Sequence, residues 1–213
     1  MIKLLYKELR LAAHPTLFVF PLLGTLVIVP SYPYAVIFLF GCLAPFITFL
    51  FARENNDSWY TAVLPIQKRD VVKAKCMLIM LVQLGQMLIS LPFAIIRVAV
   101  NIPNNPVGMD ANPAWYGMGL IIFSLFNLIF FPAYYRSGYK AGRSFLLALI
   151  PVVLGIVLTE GIVHVPNMGW LDSTAPVDMV RQLPIFIIGC LCYILCMLLA
   201  YSIAARRFER VDL

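Results

Sequence analysis

The sequence predicts an all-α protein that crosses a membrane six times. The prediction depends on composition, on the lengths of the apolar segments and on the placement of basic residues. Of the 213 residues, 62% are hydrophobic and only 12% are charged, whereas a soluble domain is about half apolar and about a quarter charged. Because one globular core could not bury this much apolar surface, we expect a lipid bilayer around the chain.

Six apolar segments have the composition of spanning helices, which need about 20 residues to cross a bilayer. The first is short, so we expect it to borrow length from preceding residues or to thin the membrane locally. Pro30 and Pro33 separate it from the second, because two prolines in four residues cannot continue a helix. The predicted spans are Thr16–Val29, Tyr34–Ala52, Cys76–Val98, Trp115–Tyr134, Ser144–Val163 and Pro184–Ala205.

The basic residues predict the orientation. An even number of spans places both termini on one side, and only Arg97 and Arg181 of the 16 Lys and Arg residues fall near the other side. Basic loops mark the cytoplasmic face, so both termini should be cytoplasmic, in a bacterial plasma membrane. Without a soluble domain or an internal repeat, residues 1–213 are predicted to form a single transmembrane domain.

The pattern of basic and apolar residues over 1–14 predicts an amphipathic helix at the membrane surface. Lys3, Lys7, Arg10 and His14 recur at helical intervals, and apolar residues fill the opposite face. Such a helix lies flat in the interface with its basic groups in water. It serves either as an anchor or as a lever between a cytoplasmic partner and the first span.

The longest polar interval, residues 53–75, lies between the second and third spans. Asp57 or Ser58 can cap a short helix that Pro65 ends, which predicts a helix over residues 55–65. Trp59 and Tyr60 on this helix either fill a pocket on a partner protein or settle at headgroup level.

Three stretches of the chain together carry a family resemblance. The first is Asn-Asp-Ser-Trp at 56–59 followed by Leu-Pro-Ile-Gln-Lys-Arg-Asp-Val-Val-Lys-Ala-Lys at 64–75, which is similar to the first cytoplasmic loop of type-2 ABC transporter permeases. The others are residues 134–143 and the ending 202–213, in the correct order. The layout resembles bacterial peptide and drug exporter permeases, such as those that export phenol-soluble modulins. Ala62-Val63 departs from the family, which often has Ser before the Leu-Pro.

The resemblance implies that the 55–65 helix is a coupling helix, seated in a groove of a separate ATP-binding-cassette subunit. Residues 1–14 would be the connecting helix of the family. We expect two ATPase copies and a second permease chain, as a homodimer or a heterodimer, within the lipid bilayer and without nucleic acid. The docking group would be Asp57, Trp59, Tyr60, Leu64 and Pro65, with Lys68 and Arg69 at its rim.

The function implied is that of a permease subunit that exports an amphipathic peptide, a lipid-like molecule or a drug-like molecule. The chain contains no G-x-x-x-x-G-K-[ST] phosphate cradle, so ATP and Mg²⁺ should bind to the partner. We expect no catalytic residue, cofactor or metal in this chain. An ion-coupled secondary transporter, a channel and a non-transporting membrane scaffold remain the alternatives.

Arg97 and Glu160 lie near the outer ends of the third and fifth spans. Either they pair at an extracellular gate, or both side chains snorkel to water. Glu160 also lies one helical turn from His164, and Asp172 is a conceivable third ligand of a metal site there. Gln83, Gln86 and Asn127 either line a conduit or bond between helices.

Overall fold

A computed structural model describes residues 2–55, 57, 66–138 and 140–210. Five of its helices are long and apolar enough to cross a membrane, and a shorter apolar helix covers Thr16–Ile28. This confirms the predicted all-α membrane architecture. The helices are α1 Ile2–Lys7, extended by a π-helical turn Glu8–Ala12; α2 Thr16–Leu22, extended by the 3₁₀ segment Leu23–Ile28; α3 Val36–Glu54; α4 Lys68–Ala99; α5 Pro113–Arg136; α6 Ala141–Gly161; and α7 Pro176–Glu209, after the 3₁₀ turns Ile162–His164 and Gly169–Leu171.

Two helices begin eight residues earlier than the spans predicted from the apolar runs. Helix α4 begins at Lys68 instead of Cys76, and α7 begins at Pro176 instead of Pro184, which lies inside the helix. Hydropathy marks only the part of a helix that can lie in lipid, whereas the helix itself continues through polar turns. Pro176 stands at the first helical position, where its missing N–H costs nothing.

Asn112 fixes the start of α5. Its side-chain oxygen accepts a hydrogen bond from the Trp115 N–H at 3.0 Å, and Pro113 follows at the first helical position. The Asn112 amide also donates to the Leu171 carbonyl at 2.7 Å. One residue therefore caps α5 and ties it to the segment between α6 and α7.

Helix α5 forms the centre of the bundle and carries much of its aromatic core. Phe49 of α3 packs edge-on against Phe130 and Tyr134 of α5. On another face of α5, Gly117 meets Gly189 of α7, where a Cβ added to Gly189 would lie 2.4 Å from the Gly117 carbonyl oxygen. Small residues here allow the two backbones to approach closely, as in other membrane helix pairs.

The bundle has a terminal end and a loop end. At the terminal end, Glu8 contacts Lys75 and Arg69 contacts Glu209, so the first and last described segments lie together. The loop end contains the start of α3, the end of α4, the loop 100–112 and the segment that joins α6 to α7. Glu160 contacts Ala35 there.

The N-terminal segment differs in one respect from the predicted surface helix. Lys7 was expected on the water-facing side, but its side chain is only 12% exposed. Leu5 and Leu9 pack against a small core that includes Leu17 and Leu78. The segment therefore packs against α2 and α4. The Lys7 side chain points inward because it binds the carboxylates of Glu8 and Asp57.

Candidate functional site

The structure describes three of the predicted docking residues, namely Asp57, Lys68 and Arg69. The other four, Trp59, Tyr60, Leu64 and Pro65, lie outside the described residues, as does most of the predicted 55–65 helix. The Asp57 side chain is 10% exposed and bonds within the bundle. It therefore fixes the beginning of the loop to the terminal end.

Four charged side chains meet at the terminal end and form what we call the terminal charge cluster: Lys7, Glu8, Asp57 and Lys75. The Lys75 ammonium donates to Glu8 Oε2 and to Asp57 Oδ2, both at 2.9 Å. Lys7 donates to the other oxygen of each carboxylate. The Lys75 ammonium also lies 5.4 Å from the ring centroid of Phe49, so it contacts three separate segments of the chain.

Burial makes the charge balance of this cluster important. The side chains of Lys75 and Glu8 are only 7% and 1% exposed. Buried charges are tolerated when they are paired and hydrogen-bonded, and two ammonium groups here face two carboxylates. Burial raises the pKa of Asp57, but Lys75 and Lys7 outweigh it and leave the pKa below the ordinary value. Asp57 is therefore ionised at neutral pH.

Lys68 and Arg69 connect the start of α4 to the end of α7. Arg69 donates to both oxygens of Glu209, at 2.5 and 3.2 Å, and the Lys68 ammonium lies 5.7 Å from the Phe208 ring centroid. The Arg69 side chain is 59% exposed. Water and salt screen an exposed pair of this kind, so it contributes little to stability.

Arg97 is buried at the loop end and is bound to the loop 100–112. Its guanidinium pairs with Asp110 and donates to the Pro103 carbonyl and to the Tyr34 hydroxyl. The ion-pair partner of Arg97 is thus Asp110, because the loop folds back over α4, and not Glu160. Nor does Arg97 snorkel to water, since it is only 4% exposed. The gate role of Arg97 and Glu160 stays a prediction.

Glu160 binds backbone N–H groups. One carboxylate oxygen accepts from Ala35 at 2.5 Å, and the other accepts from Met109 at 3.1 Å. A Cβ on Gly108 would lie 1.5 Å from Glu160 Oε2, so only glycine allows the loop to approach this closely. Glu160 therefore holds the start of α3 and the loop 100–112 together.

The acids of the loop 100–112 and of the α6–α7 segment are perturbed. Burial raises the pKa of Asp110 to about 6, the nearby Asp172 adds to the rise, and Arg97 opposes it. Burial likewise raises the pKa of Asp172, which accepts a hydrogen bond from the Asp110 N–H at 2.7 Å. His164 contacts the Val107 carbonyl at 3.1 Å. Within the described ranges, no three His, Cys, Asp or Glu side chains come together as a metal site.

The polar residues in the middle of the bundle bond between helices. Gln83 of α4 and Asn127 of α5 exchange two amide hydrogen bonds, at 3.2 and 2.8 Å, and the Tyr193 hydroxyl of α7 donates to Gln83 at 2.9 Å. Gln86 donates to the Ile37 carbonyl of α3 at 2.9 Å. Of the two roles predicted for these residues, the structure shows the interhelical one.

Together these contacts give α4 a buried polar face along most of its length. Its members lie seven or eight, or three or four, residues apart, which places them on one side of a helix. Their partners lie in the terminal charge cluster, in α3, α5 and α7, and in the loop 100–112. The face consists of Lys75, Gln83, Gln86, Ser90 and Arg97.

Sequence reasoning missed Glu8, Tyr34 and Asp110. Glu8 is the single acid among the basic residues of the N-terminal segment, and that isolation was a usable signal for a buried partner. Asp110 lies in the loop 100–112, where no sequence motif marks it as the ion-pair partner of Arg97. No local pattern distinguishes Tyr34, whose role depends on Arg97, 63 residues away.

A comparison with protein families gives a match to a model described as an ABC-2 family transporter protein, over residues 3–209. The chain belongs to this ABC-2 transporter family. Searches of curated proteins and of solved structures gave no match. The matched range extends from α1 to the end of α7. It therefore contains the terminal charge cluster of this ABC-2 permease and the contacts of Arg97 at the loop end.

Family membership defines the general role of the chain. An ABC-2 permease is the membrane component of an ABC transporter, normally without enzymatic activity of its own, and it works with an ABC ATPase subunit. The apolar helices agree with a multi-pass membrane protein.

Proposed function

We propose that this ABC-2 permease exports an amphipathic peptide, a lipid-like molecule or a drug-like molecule, driven by ATP hydrolysed in a separate subunit. The family match over nearly the whole chain carries the proposal. The cargo classes come from the resemblance to bacterial exporter permeases. Export is favoured over import because the loop 100–112 and the α6–α7 segment are short and offer little surface for a substrate-delivering protein.

The terminal end is proposed to face the cytoplasm of a bacterial cell. Lys68, Arg69, Arg136 and Arg207 belong to helix ends at this end of the bundle, and basic residues accumulate on the cytoplasmic side of a plasma membrane. Both termini would then be cytoplasmic, and the loop end would face outward.

The ATPase is proposed to dock on the loop that follows α3. Asp57 holds the beginning of this loop on the terminal charge cluster, while Trp59, Tyr60, Leu64 and Pro65 would occupy a groove of the partner. The exposed Arg69 lies where the loop ends and α4 begins. It is therefore well placed to contact the rim of such a groove, as is Lys68.

A complete transporter would contain two permease chains, alike or different, and two ATPase subunits. Aromatic side chains fill the interior of this bundle around α5, as Phe126, Phe130 and Phe131 illustrate. A substrate path through one chain therefore has little room, which favours a path between two chains. The ends of α4 and α6 at Arg97 and Glu160 would then form an outer gate, because both side chains hold the loop 100–112.

The docking proposal is tested with the ATP-binding-cassette protein encoded beside this chain. We expect the two proteins to copurify, and we expect Trp59→Ala and Leu64→Asp each to lower ATP-driven transport about thirtyfold, because loss of a hot-spot residue costs about 2 kcal/mol or more. Transport of a fluorescent amphipathic peptide into inverted vesicles is the measurement. Trp170→Ala, at the opposite end of the bundle, is the matched control.

Two outcomes would contradict this proposal in different ways. Normal transport by both loop variants would refute the docking assignment alone. Transport that follows an ion gradient, with no ATPase bound, would favour a secondary transporter and refute the exporter itself.

A further inference from the structure

We infer that Lys75 is the joint that makes α4 move with the ATPase-docking loop and the N-terminal segment. This inference rests on the proposed function and goes beyond it, because it assigns a positioning residue that is not part of the docking group. Lys75 does not contact the partner under this proposal. It transmits the displacement of the loop into the spanning helices.

Three segments of the chain converge on the Lys75 ammonium group. Glu8 lies 67 residues before Lys75 and Asp57 lies 18 residues before it, yet both carboxylates are 2.9 Å from the Lys75 nitrogen. Phe49 of α3 lies under the same group. A displacement of Asp57 therefore acts on α4 through a direct, charge-assisted hydrogen bond, which is stronger than one between neutral groups.

Lys75 and Glu8 are also shielded from water, with side chains that are 7% and 1% exposed. Water cannot replace a bond that opens in such a site, so moving one member away from the others leaves a buried charge without its partner. That cost holds the three segments together while they move.

Lys75 lies near the beginning of α4. From there the helix continues for 22 residues to Arg97, a distance of about 33 Å at 1.5 Å per residue. Along this length Gln83 and Gln86 bond to α5 and α3, and Arg97 holds the loop 100–112. A displacement applied at Lys75 is therefore applied to a helix that binds its neighbours by polar contacts at several levels.

The test separates a mechanical role of Lys75 from a simple balancing of charge. Lys75→Met leaves two carboxylates facing Lys7 alone, so it should destabilise the protein and break the joint. The double variant Lys75→Met with Glu8→Gln leaves one lysine and one aspartate, so the charges balance again. We expect the double variant to recover insertion and thermal stability but not to recover coupling.

Coupling is measured without knowledge of the cargo. Spin labels at Leu81 of α4 and Leu147 of α6, which are 53% and 48% exposed, report the distance between these helices in the purified complex with the neighbouring ATPase. The five native cysteines are replaced first. We expect ATP to shift the wild-type distance by about 2 Å, within the range of helix shifts in switching proteins, and to leave the distance unchanged in both Lys75→Met variants.

Two controls bracket this result. Lys73→Met removes an exposed lysine from the same turn of α4 and should keep the full ATP-dependent shift. Lys75→Arg keeps the charge and the donors, and it should keep most of the shift. ATP hydrolysis and binding of the ATPase should persist in every variant, because none of the substituted residues belongs to the docking group.

The outcomes distinguish this inference from the proposed function. If the double variant regains both stability and the ATP-dependent shift, Lys75 only balances charge and the inference is wrong. A full shift in Lys75→Met, or a double variant that fails to insert, overturns it as well. If the wild-type chain neither binds the ATPase nor shifts with ATP, the proposed function fails first and the inference falls with it.

Discussion

A buried cation at each end of the bundle is bound by groups from other segments of the chain. Lys75 is held by Glu8 and Asp57, and Arg97 is held by Asp110 and by the Pro103 carbonyl. Removal of one member of a buried pair typically costs about 3–5 kcal/mol, because the remaining charge stays buried. A single substitution at one of these residues should therefore strongly destabilise the folded protein.

The raised pKa of Asp110 predicts a pH dependence at the loop end. Because its pKa in the folded protein is about 6, above that of an exposed aspartate, the folded state binds this proton more tightly than the unfolded state. The resulting stabilisation is fully present at pH values below the unfolded pKa and is lost as pH rises through about 6. It amounts to at most about 3 kcal/mol.

Thermal unfolding in detergent at pH 5 and pH 7.5 checks this sign. We expect the wild-type protein to gain stability at pH 5 relative to Asp110→Asn, which cannot titrate at this position. Asp172→Asn tests the neighbouring acid, whose pKa is also raised. A difference between wild type and Asp110→Asn that does not change with pH would contradict the assignment.

Residue-level predictions from the sequence succeeded where chemistry alone was enough. The amide side chains of Gln83 and Asn127 were expected to bond between helices or to line a conduit, because hydrocarbon offers them no water. The choice of partner was different. Arg97 had Glu160 as the nearest intramembrane acid by position along the predicted spans, but the loop 100–112 folds back and brings Asp110 closer. Loop paths of this kind depend on contacts that no local pattern encodes.

At the scale of elements, the crossing of α5 and α7 depends on two glycines. A Cβ on Gly189 would lie 2.4 Å from the Gly117 carbonyl oxygen, whereas a Cβ on Gly85 of α4 would meet nothing within 4 Å. These sites therefore form a matched pair for the same substitution. One tests close packing between helices, and the other tests helix propensity alone.

We expect Gly189→Ala to destabilise the protein by about 1–3 kcal/mol, because the two backbones must move apart. Gly85→Ala should be neutral or should stabilise the protein by up to about 1 kcal/mol, because Ala favours the helix more than Gly does. The fraction of monodisperse protein that remains after heating in detergent is the measurement. Equal behaviour of the two variants would show that the crossing tolerates a methyl group.

Helix positions were predictable because apolar run length determines what can lie in a bilayer, but helix ends were not. The first two turns of α4 contain Lys68, Arg69, Asp70 and Lys73, and the sequence prediction placed the start of the span after them, at Cys76. A helix in a membrane protein extends into water wherever its polar residues can satisfy the first and last turns. Hydropathy contains no information about that extension.

For the whole molecule, the placement of charge predicts which end faces the cytoplasm. Asn104 lies exposed in the loop 100–112, and Lys140 lies exposed between α5 and α6 at the terminal end. In intact cells, a membrane-impermeant maleimide should label Asn104→Cys and should label Lys140→Cys only after lysis. Reversed labelling would place the docking loop outside the cell and exclude an ATPase partner there.

The general function could be predicted from the sequence, whereas the charged networks could not. Short motifs at 56–59, 64–75, 134–143 and 202–213 were enough for the family, since the order of motifs along the chain is itself specific. The terminal charge cluster joins residues 7, 8, 57 and 75, and its formation depends on how the N-terminal segment packs against α2 and α4. Such packing is a property of the assembled bundle and leaves little trace in local patterns.

The first predicted span has a consequence for the lipid around it. Thr16–Leu22 and Leu23–Ile28 together extend about 22 Å at the rises of α- and 3₁₀-helices, against a hydrocarbon thickness of about 30 Å. A crossing by this segment would bring the headgroups beside it closer together by several ångströms, and the bilayer would be thinnest along that flank of the protein. An amphipathic molecule in either leaflet would then have its shortest route between the two surfaces at that flank.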